Sequence, residues 1–357
     1  MENKETLVII VEGGLDLLEA KTAIGVIKYN KNYDIIALID SNNTGKKLKD
    51  IIEIDSNIPI VDTIQTAITL ASESKKSIKW LLLGTAPKGG ILPAPWLDII
   101  INAINSKINI MNPLHHMFND DIIFKDLAIK NNIIIWDVRK KISLNRVADT
   151  SAHNISANVI LTVVTDCNVG KMTTAIEIDN WLKLHNFNST FVPTGQTGIL
   201  IEGWGIAIDD VISDFTAGAA EELVLTAAAK MSNVNDFIIV EGQGSLCHPG
   251  YSGVTLSLLH GSAPDALILC HQCSRKNIRR YDLKIPSLLD YIELHNLLTK
   301  NIKSAPIIGI SLNTVGLNDE EAKIEIENIK NLTGLPVTDP VRFGTLPLTD
   351  AIINFFS

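Results

Sequence analysis

The amino-acid sequence predicts an α/β protein with two domains, each containing a mainly parallel sheet. Three observations support this fold class. Short runs rich in Ile, Val and Leu alternate with stretches of helical periodicity along the chain. Hydrophobic residues make up 46% of the sequence and aromatic residues only 5%, which favours aliphatic strands buried on both faces. A length of 357 residues is sufficient for two domains, each with its own core.

The first predicted domain covers residues 1–148 and has a Rossmann-like shape. Its predicted strands are residues 6–11, 34–40, 58–61, 79–84, 109–116 and 132–139. Asp40 stands where dinucleotide-binding domains often place a ribose-binding carboxylate. However, the next glycine after Gly13 and Gly14 is Gly25, so no G-x-G-x-x-G fingerprint forms. We therefore do not expect bound NAD.

A loop rich in glycine follows the fourth predicted strand, at residues 85–90. Ligands of α/β sheets bind at the carboxyl ends of strands, so this loop fits a binding role and a simple connection equally well. The chain then becomes polar between residues 140 and 158, and we place the domain boundary in this stretch. The second predicted domain covers residues 149–357.

The second domain has the same alternation of strands and helices. Its predicted strands are residues 159–164, 189–192, 237–240, 266–270, 306–311 and 336–341. Asn318 and Glu321 form a capping box that starts a helix ending near Gly334. Residues 346–355 are predicted to form a final helix that packs on the sheet.

A phosphate-binding loop is predicted between the strand at residues 159–164 and the following helix. Backbone N–H groups of such a loop converge on one anion, and a lysine reaches the outer phosphates. The expected cofactor contacts are Thr165, Asp166, Cys167, Asn168, Val169, Gly170, Lys171, Met172, Thr173 and Thr174. The alternative is a Gly-Lys pair in an ordinary turn, which we consider the weaker interpretation.

Two positions depart from the usual phosphate-loop pattern. Thr165 replaces a glycine, and Met172 replaces the Ser or Thr that normally ligates magnesium. The loop is therefore expected to hold phosphates without the standard metal arrangement, unless Thr173 or Thr174 supplies the hydroxyl. Two roles fit Asp209 and Asp210 equally well. Their negative charge can stabilise the positive end of the following helix, or one of them can bind magnesium.

Two further strands of this domain end in residues with functional chemistry. Glu241 follows the strand at residues 237–240 and suits magnesium or a substrate ammonium group, and His248 can titrate near neutral pH. A structural role for His248 is equally plausible. The candidate substrate-binding residues are Gly195, Gln196, Thr197, Gly198, Gln243, Arg275 and Arg279. The two arginines belong to a dense basic cluster that could bind a carboxylate or phosphate. For two or three members of this cluster, a position on a solvent-exposed helix face is the simpler explanation.

The four cysteines do not indicate a disulfide framework. Cys270 and Cys273 have C-x-x-C spacing without a second pair, so coincidence is favoured over a zinc site. Cys167 lies at a predicted helix start, where a thiol can become a covalent acyl carrier. Because the sequence shows no paired base for Cys167, we favour a small loop residue.

Charge and hydropathy exclude several classes of function. The net charge of −9 and the lack of an extended basic stripe argue against nucleic-acid binding. No apolar run approaches the length of a membrane span, and the amino terminus lacks signal-peptide features. We therefore expect a cytoplasmic protein.

The motifs at residues 165–171, 193–195 and 241–244 together resemble dethiobiotin synthetase, in which a phosphate loop, a substrate loop and an acidic strand end run in that order. More closely, the whole chain resembles a bacterial and archaeal family defined as a domain of unknown function. That family has a Rossmann-like first domain and a P-loop NTPase-like second domain, and it includes D-glutamate N-acetyltransferase. The similarity includes residues 84–90, 137–140, 194–198 and 241–245.

This resemblance implies an enzyme that transfers an acetyl group from acetyl-CoA to a D-amino acid such as D-glutamate. Two alternatives remain: an ATP-dependent ligase or carboxylase similar to dethiobiotin synthetase, and a non-catalytic nucleotide-binding regulator. The expected cofactor is acetyl-CoA or ATP, the latter with Mg²⁺. The expected partners are a small amino-acid substrate and further copies of the chain.

The hypothesis assigns roles to individual residues of the second domain. Lys171 and the loop amides bind the cofactor phosphates, and Arg275 or Arg279 holds a substrate carboxylate. Glu241 positions the substrate ammonium group, and His248 accepts its proton as a general base.

Overall fold

The computed structural model of the chain describes residues 4–15, 20–52, 54–85, 92–140, 145–231 and 233–357. It contains two compact units. The first comprises Met1–Lys140 with Ile199–Trp204, and the second comprises Lys141–Gly198 with Gly205–Ser357. Residues 86–90 of the predicted glycine-rich loop lie outside the described part of the chain.

The described residues of the first unit form a six-stranded sheet flanked by helices. Its strands are β1 (Glu5–Ile10), β2 (Tyr33–Ile39), β3 (Ile60–Val61), β4 (Trp80–Leu83), β5 (Asn109–Asn112) and β6 (Ile135–Asp137). Its helices are α1 (Lys21–Tyr29), α2 (Ile64–Glu73), α3 (Ala94–Asn105) and α4 (Ile122–Asn131). The strand order β3-β2-β1-β4-β5-β6 is that of dinucleotide-binding domains, and every pairing is parallel.

The central strands of this sheet are buried on both faces. In β1 and β4 the side chains of Val8, Ile10, Leu81 and Leu83 are fully buried and join one hydrophobic cluster with the helices. A strand covered on both faces needs apolar residues at successive positions rather than at alternate ones. This requirement explains why continuous aliphatic runs marked these strands in the sequence.

The second unit contains another six-stranded, fully parallel sheet among its described residues. Its strands are β7 (Asn158–Val164), β8 (Ser189–Val192), β9 (Phe237–Val240), β10 (Ala266–Gln272), β11 (Ile307–Asn313) and β12 (Val337–Thr338). The helices that follow β6 in the chain are α5 (Lys171–Leu184), α6 (Gln196–Glu202), α7 (Thr216–Ala228), α8 (Ser252–Gly261), α9 (Leu288–Thr299), α10 (Asp319–Thr333) and α11 (Leu346–Phe356). The predicted fold class is therefore confirmed.

The order of strands in the second sheet determines where a ligand can bind. The order is β12-β11-β10-β7-β9-β8, so β7 lies between β9 and β10. The chain runs outward from β7 to β8, returns to β9, and then crosses to β10 on the other side of β7. Such a reversal leaves a crevice at the carboxyl ends of the strands, which is the usual ligand site of open α/β sheets.

The predictions for the helix and strand between residues 318 and 341 are confirmed in part. Asn318 and Glu321 form the predicted capping box, and Gly334 ends α10 in the left-handed conformation at φ +70°. The predicted strand at residues 336–341 is wrong in extent, because β12 covers only Val337–Thr338. The Asp339 carboxylate accepts hydrogen bonds from the backbone N–H groups of Val341 and Arg342 and turns the chain. Among the described residues, no helix is both long and apolar enough to cross a membrane.

Candidate active site

The loop between β7 and α5 has the backbone geometry of an anion-binding site. Asn168 is exposed and adopts a left-handed conformation at φ +56°, and Gly170 does so at φ +119°. Left-handed residues in a short loop turn neighbouring N–H groups toward the same side. Lys171 begins α5 directly after this turn, so the positive end of the helix adds to the field of the loop.

The side chains of several predicted cofactor contacts pack against the sheet. Val169 is buried in a cluster with Val164 and Cys270, and Met172 is also buried. Thr174 is buried as well, and its hydroxyl lies 2.7 Å from the Ser311 hydroxyl. The Thr174 side chain is therefore hydrogen-bonded within the core of the second unit. Thr173 remains half-buried on the same helical turn.

Lys171 reaches toward the segment that follows β9. Its Nζ donates a hydrogen bond to the carbonyl oxygen of Gly244 at 3.3 Å. The close approach depends on Gly242, because a Cβ atom built there would lie 1.8 Å from the Thr162 carbonyl oxygen and 3.3 Å from Lys171 Cδ. The Gly242 N–H donates to the Thr162 hydroxyl at 3.0 Å. These contacts place the lysine against the loop that carries Glu241 and His248.

Glu241 shapes the predicted substrate loop. One carboxylate oxygen, Oε2, accepts hydrogen bonds from the backbone N–H groups of Thr194 and Gly195, each at 3.1 Å. A Cβ atom at Gly195 would lie 2.4 Å from Gln243 Nε2, and one at Gly198 would lie 2.8 Å from Glu241 Oε2. The two glycines are therefore needed for the loop to close over this buried carboxylate.

The remaining predicted substrate contacts lie on the same two loops. Gln196 is the first residue of α6 and is half-buried, whereas Thr197 is buried. Gln243 is half-buried, and its carbonyl oxygen accepts a hydrogen bond from the Thr255 hydroxyl at 2.8 Å. These residues lie beside Glu241 in the chain or in space, so the sequence motifs at residues 194–198 and 241–245 form one region.

The Arg275 side chain is hydrogen-bonded to the phosphate loop. Its Nη1 donates to Asp166 Oδ2 at 2.9 Å and to the Cys167 carbonyl oxygen at 2.5 Å. Asp166 is fully buried, and its Oδ2 also accepts the backbone N–H of Arg279 at 2.8 Å. Asp166 Oδ1 is buried and has no hydrogen-bond partner among the described residues. The Arg279 side chain makes no hydrogen bond or ion pair with any residue that the structure describes.

His248 is held in an aromatic setting that the sequence did not reveal. It is 3% exposed, and its ring centroid lies 4.7 Å from that of Tyr251 and 5.2 Å from that of Tyr281. The Gly250 N–H donates to His248 Nδ1 at 3.1 Å. Because Nδ1 accepts this bond, the neutral ring carries its proton on Nε2. Tyr251 follows His248 closely in the chain, whereas Tyr281 follows the basic cluster and could be recognised only once the strand order was known.

Three of the predicted site residues converge at the head of the loop. One oxygen of Asp166, the sulfur of Cys167 and one ring nitrogen of His248 all lie within 4.8 Å of one another. Asp209 and Asp210 are not part of this cluster, and they lie in a short turn at Ile208–Asp210 instead. The convergence follows from the strand order, since β7 and β9 are neighbours and both loops leave at their carboxyl ends.

A second layer of polar residues supports the loop from behind. The Thr165 hydroxyl lies 2.9 Å from His271 Nδ1, and the Thr165 carbonyl oxygen accepts the Tyr291 hydroxyl at 2.7 Å and the Ser245 hydroxyl at 3.0 Å. Burial and, secondly, the Arg275 charge lower the pKa of His271 to about 4. His271 is therefore neutral at physiological pH and acts here as a hydrogen-bonding group.

Asp40 in the first domain is held by partners close to it in the structure. Its carboxylate is buried and accepts bonds from the Gly13 amide, the Asn42 amide and the Asn43 side chain. These local partners occupy the oxygens that a ribose would need. This arrangement gives the position a structural role in the turn after β2.

The two domains and the phosphate loop define a class of protein with a Rossmann-like domain followed by a P-loop domain. The chain belongs to the DUF1611 family. Residues 41–141 match its Rossmann-like domain and residues 146–349 its P-loop domain, each described as a domain of unknown function. The resemblance predicted from the sequence motifs is thereby confirmed.

Relatives of this family share most of their length with the chain. A protein of Tritonibacter scottomollicae named D-glutamate N-acetyltransferase is 34% identical over 340 residues, which cover 94% of this chain and 95% of the relative. A protein of the same name from a Pseudoalteromonas species is 37% identical over 294 residues, covering 82% and 86%. The crystal structure of a DUF1611 family protein from Anabaena variabilis has a TM-score of 0.91 at 34% identity, covering 98% of this chain and all of that one.

Proposed function

We propose that the protein transfers an acetyl group from acetyl-CoA to the amine of a D-amino acid such as D-glutamate. The names of two relatives with matching length support this reaction. The phosphate loop supports acetyl-CoA over ATP as the cofactor. Met172 has no hydroxyl, and the Thr174 hydroxyl is hydrogen-bonded to the Ser311 hydroxyl. Phosphoryl transfer relies on magnesium held in part by such a hydroxyl, whereas acyl transfer does not.

In this proposal the loop binds the phosphates of coenzyme A without transferring them. Lys171 and the backbone N–H groups of residues 166–170 contribute positive charge and hydrogen bonds to an anion. The lysine Nζ is held beside the Gly244 carbonyl oxygen, at the segment that also carries His248. The cofactor phosphates and the reacting groups would thus be bound by adjacent segments.

The substrate contacts proposed from the sequence are refined by the observed pairing. Glu241 Oε2 already accepts two backbone N–H groups, so we assign the ammonium group to Asp166, whose Oδ1 is buried without a partner in the described residues. Arg275 is bonded to Asp166 and the loop. Arg279 is the better candidate for a substrate carboxylate, because its guanidinium makes no hydrogen bond or ion pair with any described residue.

The role of His248 depends on which ring nitrogen carries the proton. With Nδ1 accepting from Gly250, the ring presents an N–H at Nε2, which can donate to the carbonyl oxygen of the acetyl thioester. The role of general base predicted from the sequence requires that Nδ1 exchange its Gly250 partner for the substrate proton. We propose the donor role for His248. The base role stays a prediction, and comparing His248→Gln with His248→Ala distinguishes the two roles.

A direct assay tests the proposed reaction. The purified chain is incubated with acetyl-CoA and a panel of D- and L-amino acids, and free thiol and the N-acetyl product are measured. Release of both with D-glutamate is the expected result. ADP release that depends on the amino acid would instead support a ligase, and tight ATP binding without any product would support a regulator.

A pair of lysine variants links the assay to the phosphate loop. Lys171→Ala should raise the KM for acetyl-CoA, because the loop loses the charge that reaches the phosphates. Lys276→Ala removes an exposed lysine from the basic segment and serves as the matched control. Equal KM values for the two variants would refute the cofactor-binding role of Lys171.

A further inference from the structure

We propose that Cys167 accepts the acetyl group from coenzyme A and carries it as a thioester until the amine of the substrate attacks. This inference rests on the proposed function and makes the reaction a two-step transfer through the protein. The sequence alone offered no partner for this cysteine. The structure brings its sulfur within 4.8 Å of a carboxylate oxygen of Asp166 and a ring nitrogen of His248.

The position of Cys167 suits a nucleophile that must be reached by a cofactor. The residue is half-buried, in the third position after β7, whereas Asp166 beside it is fully buried. A second observation points to a ligand at the same place. Asp166 Oδ1 is buried with no partner among the described residues, and a buried carboxylate oxygen without a hydrogen bond carries a considerable desolvation cost. A substrate ammonium group bound there would satisfy it.

Two positive groups lie near Cys167, beside the carboxylate of Asp166. Arg275 donates to the carbonyl oxygen of Cys167 itself, and the loop leads into the positive end of α5. Cations and helix amino termini are the features that stabilise reactive thiolates. Cys270 and Cys273 are in the opposite situation, because burial raises the pKa of each thiol to about 11. These two cysteines therefore stay protonated and serve as internal comparisons.

The first half-reaction moves the acetyl group onto the protein. Cys167 loses its proton to water, and its sulfur attacks the carbonyl carbon of acetyl-CoA. A C–S bond to Cys167 forms, and the C–S bond to coenzyme A breaks. Coenzyme A leaves as a thiolate and takes a proton from water. The Nε2–H of His248 would stabilise the negative oxygen that forms during this attack.

The second half-reaction moves the acetyl group to the substrate. The ammonium group gives one proton to Asp166 Oδ1, which later releases it to water, and the resulting amine attacks the acetyl carbon. The C–N bond forms as the C–S bond to Cys167 breaks, the second proton passes to water, and the thiolate is restored. The amine and the thioester would start on neighbouring residues, because one carboxylate oxygen of Asp166 lies within 4.8 Å of the Cys167 sulfur.

The same three side chains could also be read as ligands of a divalent metal ion, but one contact of His248 disfavours this reading. His248 Nδ1 already accepts the Gly250 N–H, which leaves a proton on the other ring nitrogen and no free lone pair for a metal. Metal binding is therefore included as an outcome of the test.

The test asks whether the full chain becomes acetylated without any amine. The protein is incubated with acetyl-CoA carrying a ¹⁴C-labelled acetyl group, quenched in acid, and analysed by peptide mass spectrometry. Exchange of label between acetyl-CoA and free coenzyme A is measured in parallel. Cys167→Ser is compared with Cys273→Ser, a half-buried cysteine of the same unit, and thermal unfolding verifies that both variants fold.

The expected result is one acetyl group on Cys167 that hydroxylamine releases and that D-glutamate discharges as its N-acetyl derivative. Cys167→Ser should abolish the exchange and lower turnover by at least about 100-fold, whereas Cys273→Ser should match the unmodified protein. Exchange and labelling with no transfer to any D-amino acid would support the acyl-protein step and refute the proposed acceptor. Acetylation of D-glutamate that persists in Cys167→Ser without labelling would overturn the inference and leave the proposed function intact. One equivalent of zinc in the purified protein, lost in Cys167→Ser, would also overturn it.

Discussion

Replacing Arg275 by Met should destabilise the second domain strongly, because the substitution leaves a buried carboxylate without its cation. Asp166 is 0% exposed and the Arg275 side chain 15% exposed, and Nη1 bridges the carboxylate and the Cys167 carbonyl oxygen. Removing one partner of a buried ion pair typically costs about 3–5 kcal/mol. The Arg279 N–H still donates to Asp166 Oδ2, so we expect a cost near the lower end, about 3 kcal/mol.

Thermal and urea unfolding of the full chain measure this cost. For a domain of this size, about 3 kcal/mol corresponds to a decrease in Tm of roughly 6–12 °C. Lys276→Met is the matched control, since it removes an exposed cation from the same segment and should change the stability by less than about 0.5 kcal/mol.

A double-mutant cycle separates the charge effect from the loss of side-chain packing. Asp166→Asn removes the buried charge, so in the Arg275→Met background it should raise the Tm although it lowers the Tm of the unmodified protein. The coupling free energy should be about 2–3 kcal/mol. If Arg275→Met behaves like Lys276→Met, or if the two site substitutions are additive, the buried ion pair does not stabilise the loop as argued.

Three further predictions concern the site and its support. His248→Gln can keep an N–H donor where His248→Ala cannot, so the donor role predicts that Gln retains at least about tenfold more turnover than Ala; equal losses of turnover in the two variants would contradict the donor role. Gly242→Ala places a Cβ atom 1.8 Å from a backbone oxygen and should cost about 3 kcal/mol or more in unfolding experiments, whereas Gly253→Ala, with nothing within 4 Å, should be neutral or stabilising. His271 has a folded pKa of about 4 against an ordinary value of 6.5, so the unfolded chain binds the extra proton between these values and stability falls as the pH drops through that window. His271→Gln should remove up to about 3 kcal/mol of that loss, and an unchanged pH dependence of the unfolding free energy would contradict the assignment.

The fold could be predicted because the strands of a parallel sheet buried on both faces are continuous apolar runs in the sequence. The strands β7 and β9 are buried along almost their entire length, and their aliphatic runs stop at polar loops. The error at β12 lies at its end. The predicted strand continued through Asp339 and Pro340 to residue 341, but the side chain of Asp339 also accepts the backbone amide and hydroxyl of Thr314, which fixes a turn after Thr338. Periodicity contains no information about such a distant partner.

The composition of the site could be predicted better than its pairing. Arg275 and Asp166 are 109 residues apart in the chain, and the sequence suggested that the arginine was available for a substrate. Their contact follows from the order of the strands, since β10 and β7 are neighbours and their loops leave at the same edge. The same argument applies to Cys167 and His248, which lie at the ends of β7 and β9. The protonated nitrogen of His248 depends on a single contact with Gly250, which no sequence pattern specifies.

In the proposed function, the phosphate loop and the cluster at its head would together let a nucleotide-binding architecture serve acyl transfer. In phosphoryl transfer the loop and its magnesium ion must stabilise charge that develops on the phosphate, so the hydroxyl after the lysine is part of the chemistry. A thioester needs no such stabilisation at its distant phosphates, and those groups then contribute binding energy only. Met172 can therefore be buried without loss of the proposed reaction. The reacting bonds would lie instead at the side chains of Asp166, Cys167 and His248.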